Sequence, residues 1–252
     1  MSRRIEVLLG PPWPAEAVRG AQVAVIDVLR ATSTIATALA NGAAGVIPFA
    51  EPQEAAAAAH RLGRDRVLLC GERDSELIEG FDLDNSPASF TSEVVAGKML
   101  AIATTNGTRA LREVAGAAGV CTAALLNRSA VADFLGRQEG DIVIVCAGEG
   151  SGFALEDALG AGALVDALLT RPARMELRDG ARAAALLYRG VANRLADAVA
   201  SADHAQELAR KGFAEDVTRC AALDTLEVVP TLREGILVAA ERARPTVGVS
   251  AS

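Results

Sequence analysis

The sequence predicts an α/β protein: a largely parallel, helix-covered sheet of about seven or eight strands, with a helical C-terminal region packed on it. Three observations lead there. Short runs of Val, Ile and Leu recur between Ile5 and Cys146, each bounded by turn residues, as buried strands are. Alanine-rich stretches with helical spacing alternate with them across short connections, the pattern of parallel strands joined by crossover helices. Beyond Phe153 the alternation stops and long amphipathic stretches take over.

In chain order, Ile5–Leu9 is expected as the first strand, halted by Pro11 and Pro12. Val23–Val28 is the second, with a helix after it ending near Asn41-Gly42, a suitable C-cap. Val46–Phe49 is the third. An alanine-rich helix follows, with Pro52 in its first turn, where proline is favoured, and Gly63 at its end. Val67–Cys70 is the fourth and runs into Gly71-Glu72-Arg73. Residues 74–87 show no period and many polar side chains, so a functional loop is expected. A helix near Ser89–Ala96 precedes the fifth strand, Met99–Ala103, and Thr104-Thr105-Asn106-Gly107-Thr108 then opens a helix to about Val114. Gly119–Ala123 is the sixth strand, with Asn127-Arg128-Ser129 leading a helix to Leu135; Ile142–Cys146 is the seventh. Leu155–Leu169, Arg182–Ala200 and Asp203–Lys211 read as helices, the last closed by Gly212, and Thr225–Val229 as a final strand. With no repeat and no linker, residues 1–252 are expected to form one α/β domain. Residues 1–150 would be its alternating core, 151–240 its mainly helical part and 241–252 a frayed tail.

Composition narrows the function. The chain has 252 residues, 51% hydrophobic but only 3% aromatic, so alanine, leucine and valine must fill the core. A net charge of −7 argues against a nucleic-acid partner, which demands a basic surface. No apolar run reaches the ~20 residues of a membrane span, and the apolar N-terminal segment is too short for a signal peptide. Cys70, Cys121, Cys146 and Cys220 stand singly, which fits reduced packing thiols in the cytoplasm. Mean hydropathy is +0.26, and the apolar helices exceed what one sheet needs, so a homodimer or higher homo-oligomer is expected.

Polar clusters stand at four strand ends: Asp27-Val28-Leu29-Arg30, Gly71-Glu72-Arg73, Thr104–Thr108 and Cys146-Ala147-Gly148-Glu149. Parallel strands bring such ends to one edge, where ligands of open α/β sheets bind. Asp27 fits a divalent-cation ligand or a helix cap. Arg30 with Thr32, Ser33 and Thr34 at a helix start fits an anion site. Thr105, Asn106, Gly107 and Thr108 fit either a phosphate cradle or an ordinary capped turn. The loop Gly80–Pro87, which holds Asn85 and Ser86, suits a hard cation or an Asx turn. Glu156 and Asp157 open a helix, either complementing its dipole or acting as base or ligand. His60 is expected in solvent, and His204 more often away from the edge than on it.

DVLRATST, GERDSELIEGFDLDNSP, TTNGTRAL, NRSAVA, CAGEGSGFALEDALGAG and SADHAQELARKGFAEDVTRCAALD…VVP occur in that order between Val25 and Pro230. Together they resemble the 2-phosphosulfolactate phosphatase family over nearly the whole chain. The resemblance implies an α/β, Mg²⁺-dependent enzyme that hydrolyses the phosphate ester of sulfolactate, in the pathway to coenzyme M. Asp27 is then the first expected metal ligand, with Glu72 and Asp157 next, and Asp27, Glu156 and Asp157 carry the catalysis. Arg30, Thr32, Ser33, Thr34, Arg73, Asn85, Ser86, Thr105, Asn106, Gly107, Thr108 and Asn127 are expected to bind the small anionic substrate, with Arg109 and Arg128 weaker candidates. The family loop usually reads GFDLGNSP; here Asp84 stands for the glycine, either as an added ligand or at the cost of a strained turn. The alternative function is a non-catalytic binder of a phosphorylated or sulfonated metabolite.

Overall fold

A computed structural model describes residues 2–114, 116–172 and 174–241. The frayed tail expected at 241–252 lies outside them from residue 242 on. Among the described residues eleven strands form one sheet: β1 (Arg3–Leu8), β2 (Gln22–Ile26), β3 (Gly45–Phe49), β4 (Val67–Arg73), β5 (Glu76–Leu77), β6 (Met99–Ala103), β7 (Gly119–Ala123), β8 (Ile142–Cys146), β9 (Met175–Leu177), β10 (Pro230–Arg233) and β11 (Ile236–Ala239). The seven strands expected up to Cys146 are all present. Their central members, such as β8 with Ile-Val-Ile-Val-Cys buried throughout, carry the continuous apolar runs of strands covered on both sides.

The sheet order is β5-β4-β6-β3-β11-β10-β7-β2-β8-β1-β9. It divides into two parallel blocks. In one, β4 and β3 flank β6; in the other, β7, β2, β8, β1 and β9 pair in turn. The C-terminal hairpin β10–β11 joins the blocks, antiparallel to β7 on one side and to β3 on the other. The last strand expected at Thr225–Val229 is therefore displaced: that segment is not a strand, and the hairpin follows it. Glu234 and Gly235 both take positive φ, 50° and 82°, and form the two-residue turn that right-twisted hairpins prefer.

The helices are α1 (Ala15–Val18), α2 (Ala31–Ala40), α3 (Pro52–Leu62), α4 (Ser92–Val95), α5 (Gly107–Glu113), α6 (Arg128–Arg137), α7 (Leu155–Leu169), α8 (Asp179–Val191), α9 (Leu195–Ala200), α10 (Asp203–Arg210) and α11 (Ala214–Cys220). The single helix expected over Arg182–Ala200 is two, separated by a 3-10 turn at Ala192–Arg194. The break lets Leu195 and Val199 bury against the same core as α7 and α8. α2 and α5 touch both blocks: α5 meets β2 and β3, and α2 meets β7, the hairpin and β3. The sheet thus curves around these two helices, and the strand ends of one block come to face those of the other. No described helix is long and apolar enough to cross a membrane.

Candidate active site

The carboxyl ends of β2, β4, β6 and β8 meet at a cavity of about 170 Å³. Asp27, Leu29 and Arg30 enter from β2, Glu72 from β4, and Asp74, Ser75 and Asn85 from the loop after it. Thr104, Thr105 and Asn106 follow β6, Glu149 follows β8, and α10 contributes His204 and Glu207. The convergence expected of the four strand-end clusters is present, with a helix from the C-terminal region closing over it.

Asp27 is 6% exposed. Its Oδ1 accepts the N–H of Ala31 at 3.1 Å, so one oxygen serves the start of α2. The Thr32 hydroxyl donates to the Asp27 carbonyl at 2.8 Å and accepts the Asp27 N–H at 3.1 Å. Gly107 lies against the carboxylate: a Cβ there would stand 2.7 Å from Asp27 Oδ2 and 2.7 Å from Ala31 Cβ. Only glycine lets the first turn of α5 come so close. Burial, above all, pushes the Asp27 carboxyl up to about 7; the Ala31 N–H and His204 hold it down, while Glu72 and Glu156 add to the rise. Such a carboxylate ionises most readily beside a cation.

Arg30 is 3% exposed. It forms a 2.7 Å ion pair with Asp216, and its guanidinium lies 4.3 Å from the centre of the Phe213 ring. Asp216 also accepts the Ser86 hydroxyl at 2.7 Å, so one buried carboxylate ties the β2 end, the Asn85-Ser86 loop and α11 together. Glu72 accepts the N–H of Ser75 at 2.9 Å and the N–H of Thr105 at 3.0 Å, which fixes the β4 end to the β6 end. Asn85 Oδ1 and Thr104 Oγ1 are buried in the lining without a hydrogen-bond partner. With Asn106 Oδ1 and His204 Nδ1, also buried without a partner, they make four such atoms on lining residues, which a bound ligand would satisfy.

Several expected site residues serve the frame instead. Ser33 donates to the Val28 carbonyl, Thr34 to the Asn85 carbonyl and Thr108 to the Thr104 carbonyl. Those hydroxyls and that of Thr32 lock backbone, and none lines the cavity. Asn127 accepts the Ala124 N–H and donates to the Val228 carbonyl, and it does not line the cavity. Arg73 donates to Ala50 and Glu72 carbonyls, Arg109 lies over Trp13 and Arg128 pairs with Asp224. Arg30 is the arginine that reaches the lining among the described residues. Asp84 stands outside the lining: its Oδ1 accepts the Ser86 N–H at 2.9 Å in an Asx turn, and it is not among the described residues with positive φ. The four cysteines are buried, and burial raises each thiol far from reactivity, Cys121 and Cys220 to about 12.

Asp157 and Glu156 are also absent from the lining. Asp157 accepts the Val28 N–H at 2.8 Å and the Gly148 N–H at 2.9 Å, pinning the start of α7 to the ends of β2 and β8. Glu156 is 3% exposed. Burial first, then Glu149 and Asp203, lift its carboxyl to about 7, against partial relief from its own backbone N–H. Its proton is held more tightly in the folded state than in the unfolded one. Glu156 therefore adds stability below about pH 4.5 that is lost as the pH rises through about 7, on the order of 3 kcal/mol in all. Glu156→Gln is expected to melt close to the wild type at pH 5 and several degrees above it at pH 8. Parallel melting curves at both pH values would show that no buried charge forms there.

The sequence places Glu149 in the polar cluster that ends β8 without giving it a role, leaves Asp216 unmarked and sets His204 away from the edge. The one sequence signal for Asp216 and His204 is membership of the SADHAQELARKGFAEDVTRC stretch; no local spacing marks them. His60, by contrast, is exposed on α3, as expected.

Comparison with known proteins gives a single picture. The profile of the family described as 2-phosphosulpholactate phosphatase matches residues 13–235. A relative from Caldanaerobacter subterraneus subsp. tengcongensis is 45% identical over 215 residues, 85% of this chain and 89% of its own. One from Symbiobacterium thermophilum is 44% identical over 228 residues, covering 90% and 98%. One from Thermotoga maritima is 39% identical over 237 residues, covering 94% and 99%. Each carries the name "Probable 2-phosphosulfolactate phosphatase".

Proposed function

The chain belongs to the 2-phosphosulpholactate phosphatase family, and from that premise we propose that it hydrolyses the phosphomonoester of a small anionic acid, 2-phospho-3-sulfolactate first among them, with Mg²⁺ as cofactor. The observation that carries this reading is the charge of the cavity. Its lining holds five carboxylates, Asp27, Glu72, Asp74, Glu149 and Glu207, and one arginine, whose charge Asp216 already balances. A substrate bearing phosphate, sulfonate and carboxylate enters such a cavity only in company with cations.

The donor set suits magnesium. Carboxylate oxygens are hard donors, and Mg²⁺ binds through one or two of them together with waters and substrate phosphate. It needs no ready-made cage, and no group of three or more His, Cys, Asp or Glu side chains forms one among the described residues. Asp27 and Glu72 would hold the ion, from the ends of β2 and β4. A magnesium ion held there would supply positive charge to offset that of the phosphoryl oxygens. The chain's own groups do the rest. Arg30, fixed by Asp216 and Phe213, offers its remaining N–H groups to an anionic arm of the substrate. Thr104 and Asn85 supply the unpaired polar atoms that orient it. Burial of these groups excludes bulk water, which strengthens each contact.

The binding-only alternative drew its support from Asp84, and that carboxylate is used inside its own loop. The test is phosphate release from 2-phospho-3-sulfolactate, with Mg²⁺ and then with EDTA. Release that EDTA abolishes and Mg²⁺ restores is expected. Equal release in both removes the metal from the mechanism, and none in either removes the activity.

A further inference from the structure

α10 turns two side chains into the cavity wall, His204 and Glu207. The His204 side chain is 16% exposed, and its Nδ1 is buried without a hydrogen-bond partner, 3.7 Å from Glu149 Oε2. Glu149 is itself held by Asn106, whose Nδ2 donates to Oε2 at 3.0 Å. Three residues from three elements thus stand in a row, ending on an imidazole at the cavity. We propose that His204 is the general acid that protonates the leaving oxygen, with Glu149 as its positioning residue. This rests on the phosphatase reading above.

The chemistry of the substrate class asks for such a group. The leaving oxygen belongs to the secondary hydroxyl of a 2-hydroxy acid, which departs poorly as an alkoxide. Arg30 does not give up a proton, and Asp27 and Glu72 are assigned to the cation. The lining holds no lysine, tyrosine or cysteine among the described residues. Histidine is the side chain that both holds and releases a proton near neutral pH. The 3.7 Å separation from Glu149 is long for a hydrogen bond, as catalytic pairs often are before substrate closes them. Once Nδ1–H points at Glu149, Nε2 is left for the substrate. Carboxylates share the cavity wall with the ring: Glu149 from the β8 end, Asp27 from the β2 end and Glu207 from α10 itself.

In the step, water forms a new bond to phosphorus while the bond from phosphorus to the leaving oxygen breaks. The electron pair of that bond stays on the leaving oxygen, which takes the proton from His204 Nε2. One of the water's protons stays on the released phosphate, the other passes to solvent, and solvent returns one to His204.

The experiment compares the wild type, His204→Asn and Glu149→Gln on 2-phospho-3-sulfolactate and on its analogue with sulfur as the bridging atom, whose thiolate leaves without protonation. On the oxygen ester His204→Asn is expected to lose about a hundred- to ten-thousandfold in kcat, with KM within a few-fold. On the sulfur analogue it should stay within a few-fold of wild type. Glu149→Gln should show the same split, less steeply. The wild-type kcat should fall at alkaline pH, and His204→Asn should lack that limb. Equal losses on both substrates, or an unchanged alkaline limb, overturn the assignment, and a melting temperature near wild type shows the fold is kept. If the wild type turns over neither substrate, the phosphatase reading falls instead.

Discussion

Asp27→Asn is expected to lower phosphate release by about a thousandfold or more while leaving the fold intact. The two halves of that result have separate causes. Val23, Ala24, Val25 and Ile26 supply the packing of β2, and asparagine keeps the size of the side chain and an oxygen to accept the Ala31 N–H. The Thr32 hydroxyl grips the backbone of residue 27, not its side chain, so the corner between β2 and α2 is untouched. What disappears is a negative charge that burial already strains, with the carboxyl pushed up to about 7. On the proposed reading its loss removes a cation ligand, and it uncovers no apolar surface. Melting temperature at neutral pH should therefore hold or rise slightly, while Mg²⁺-dependent turnover collapses. Turnover close to wild type would reduce Asp27 to a helix cap and move the centre of the site elsewhere.

Asp216→Ala is expected to do the reverse and strike stability first. Asp216 is 3% exposed and joins Arg30 at 2.7 Å to Ser86 at 2.7 Å. Removing it strands a buried guanidinium, which keeps only the Ser75 carbonyl at 3.4 Å and the Phe213 ring at 4.3 Å. Breaking one side of a buried ion pair costs about 3–5 kcal/mol. In a chain of this size that lowers the melting temperature by about 10 °C. Asp216→Asn, which still accepts a hydrogen bond, should fall between the two. Activity should drop as well, since Arg30 loses the group that aims it. A melting temperature within a degree of wild type would mean that Arg30 finds another partner.

These residues differ in how visible they were before the fold was known. The seven strands up to Cys146 were legible because each is a short run rich in apolar residues, broken by Glu6 in the first and Thr122 in the sixth, and ended by Gly, Pro or a polar cluster. Asp27, Arg30, Glu72, Asn85, Thr105 and Asn106 were legible as strand-end or loop groups, and all six line the cavity. Thr32, Ser33, Thr34 and Thr108 carried the same signature yet bind backbone carbonyls. A hydroxyl at a helix start serves the chain's own peptide groups as readily as a ligand's oxygens. β5 and β9, of two and three residues, are too short to show a period. The β10–β11 hairpin had a usable signal in Glu234-Gly235 between apolar residues, overshadowed by the apolar Val228-Val229 just before it.

The sequence by itself determined which segments become strands and helices, and which carboxylates, amides and hydroxyls end those strands. These follow from side-chain periodicity and turn chemistry over a few residues. Only the tertiary structure decided which ends meet. Residues 230–239 return to join two parallel blocks, and α2 and α5 pack between them. That curvature sets Glu72 and Thr104 from one block opposite Asp27 and Glu149 from the other. It also lays α10 over the gap with His204. Contacts such as Arg30 to Asp216, 186 positions apart, depend on the burial of both partners in one core. Burial at that range is a property of the packed chain, and no local pattern of residues encodes it.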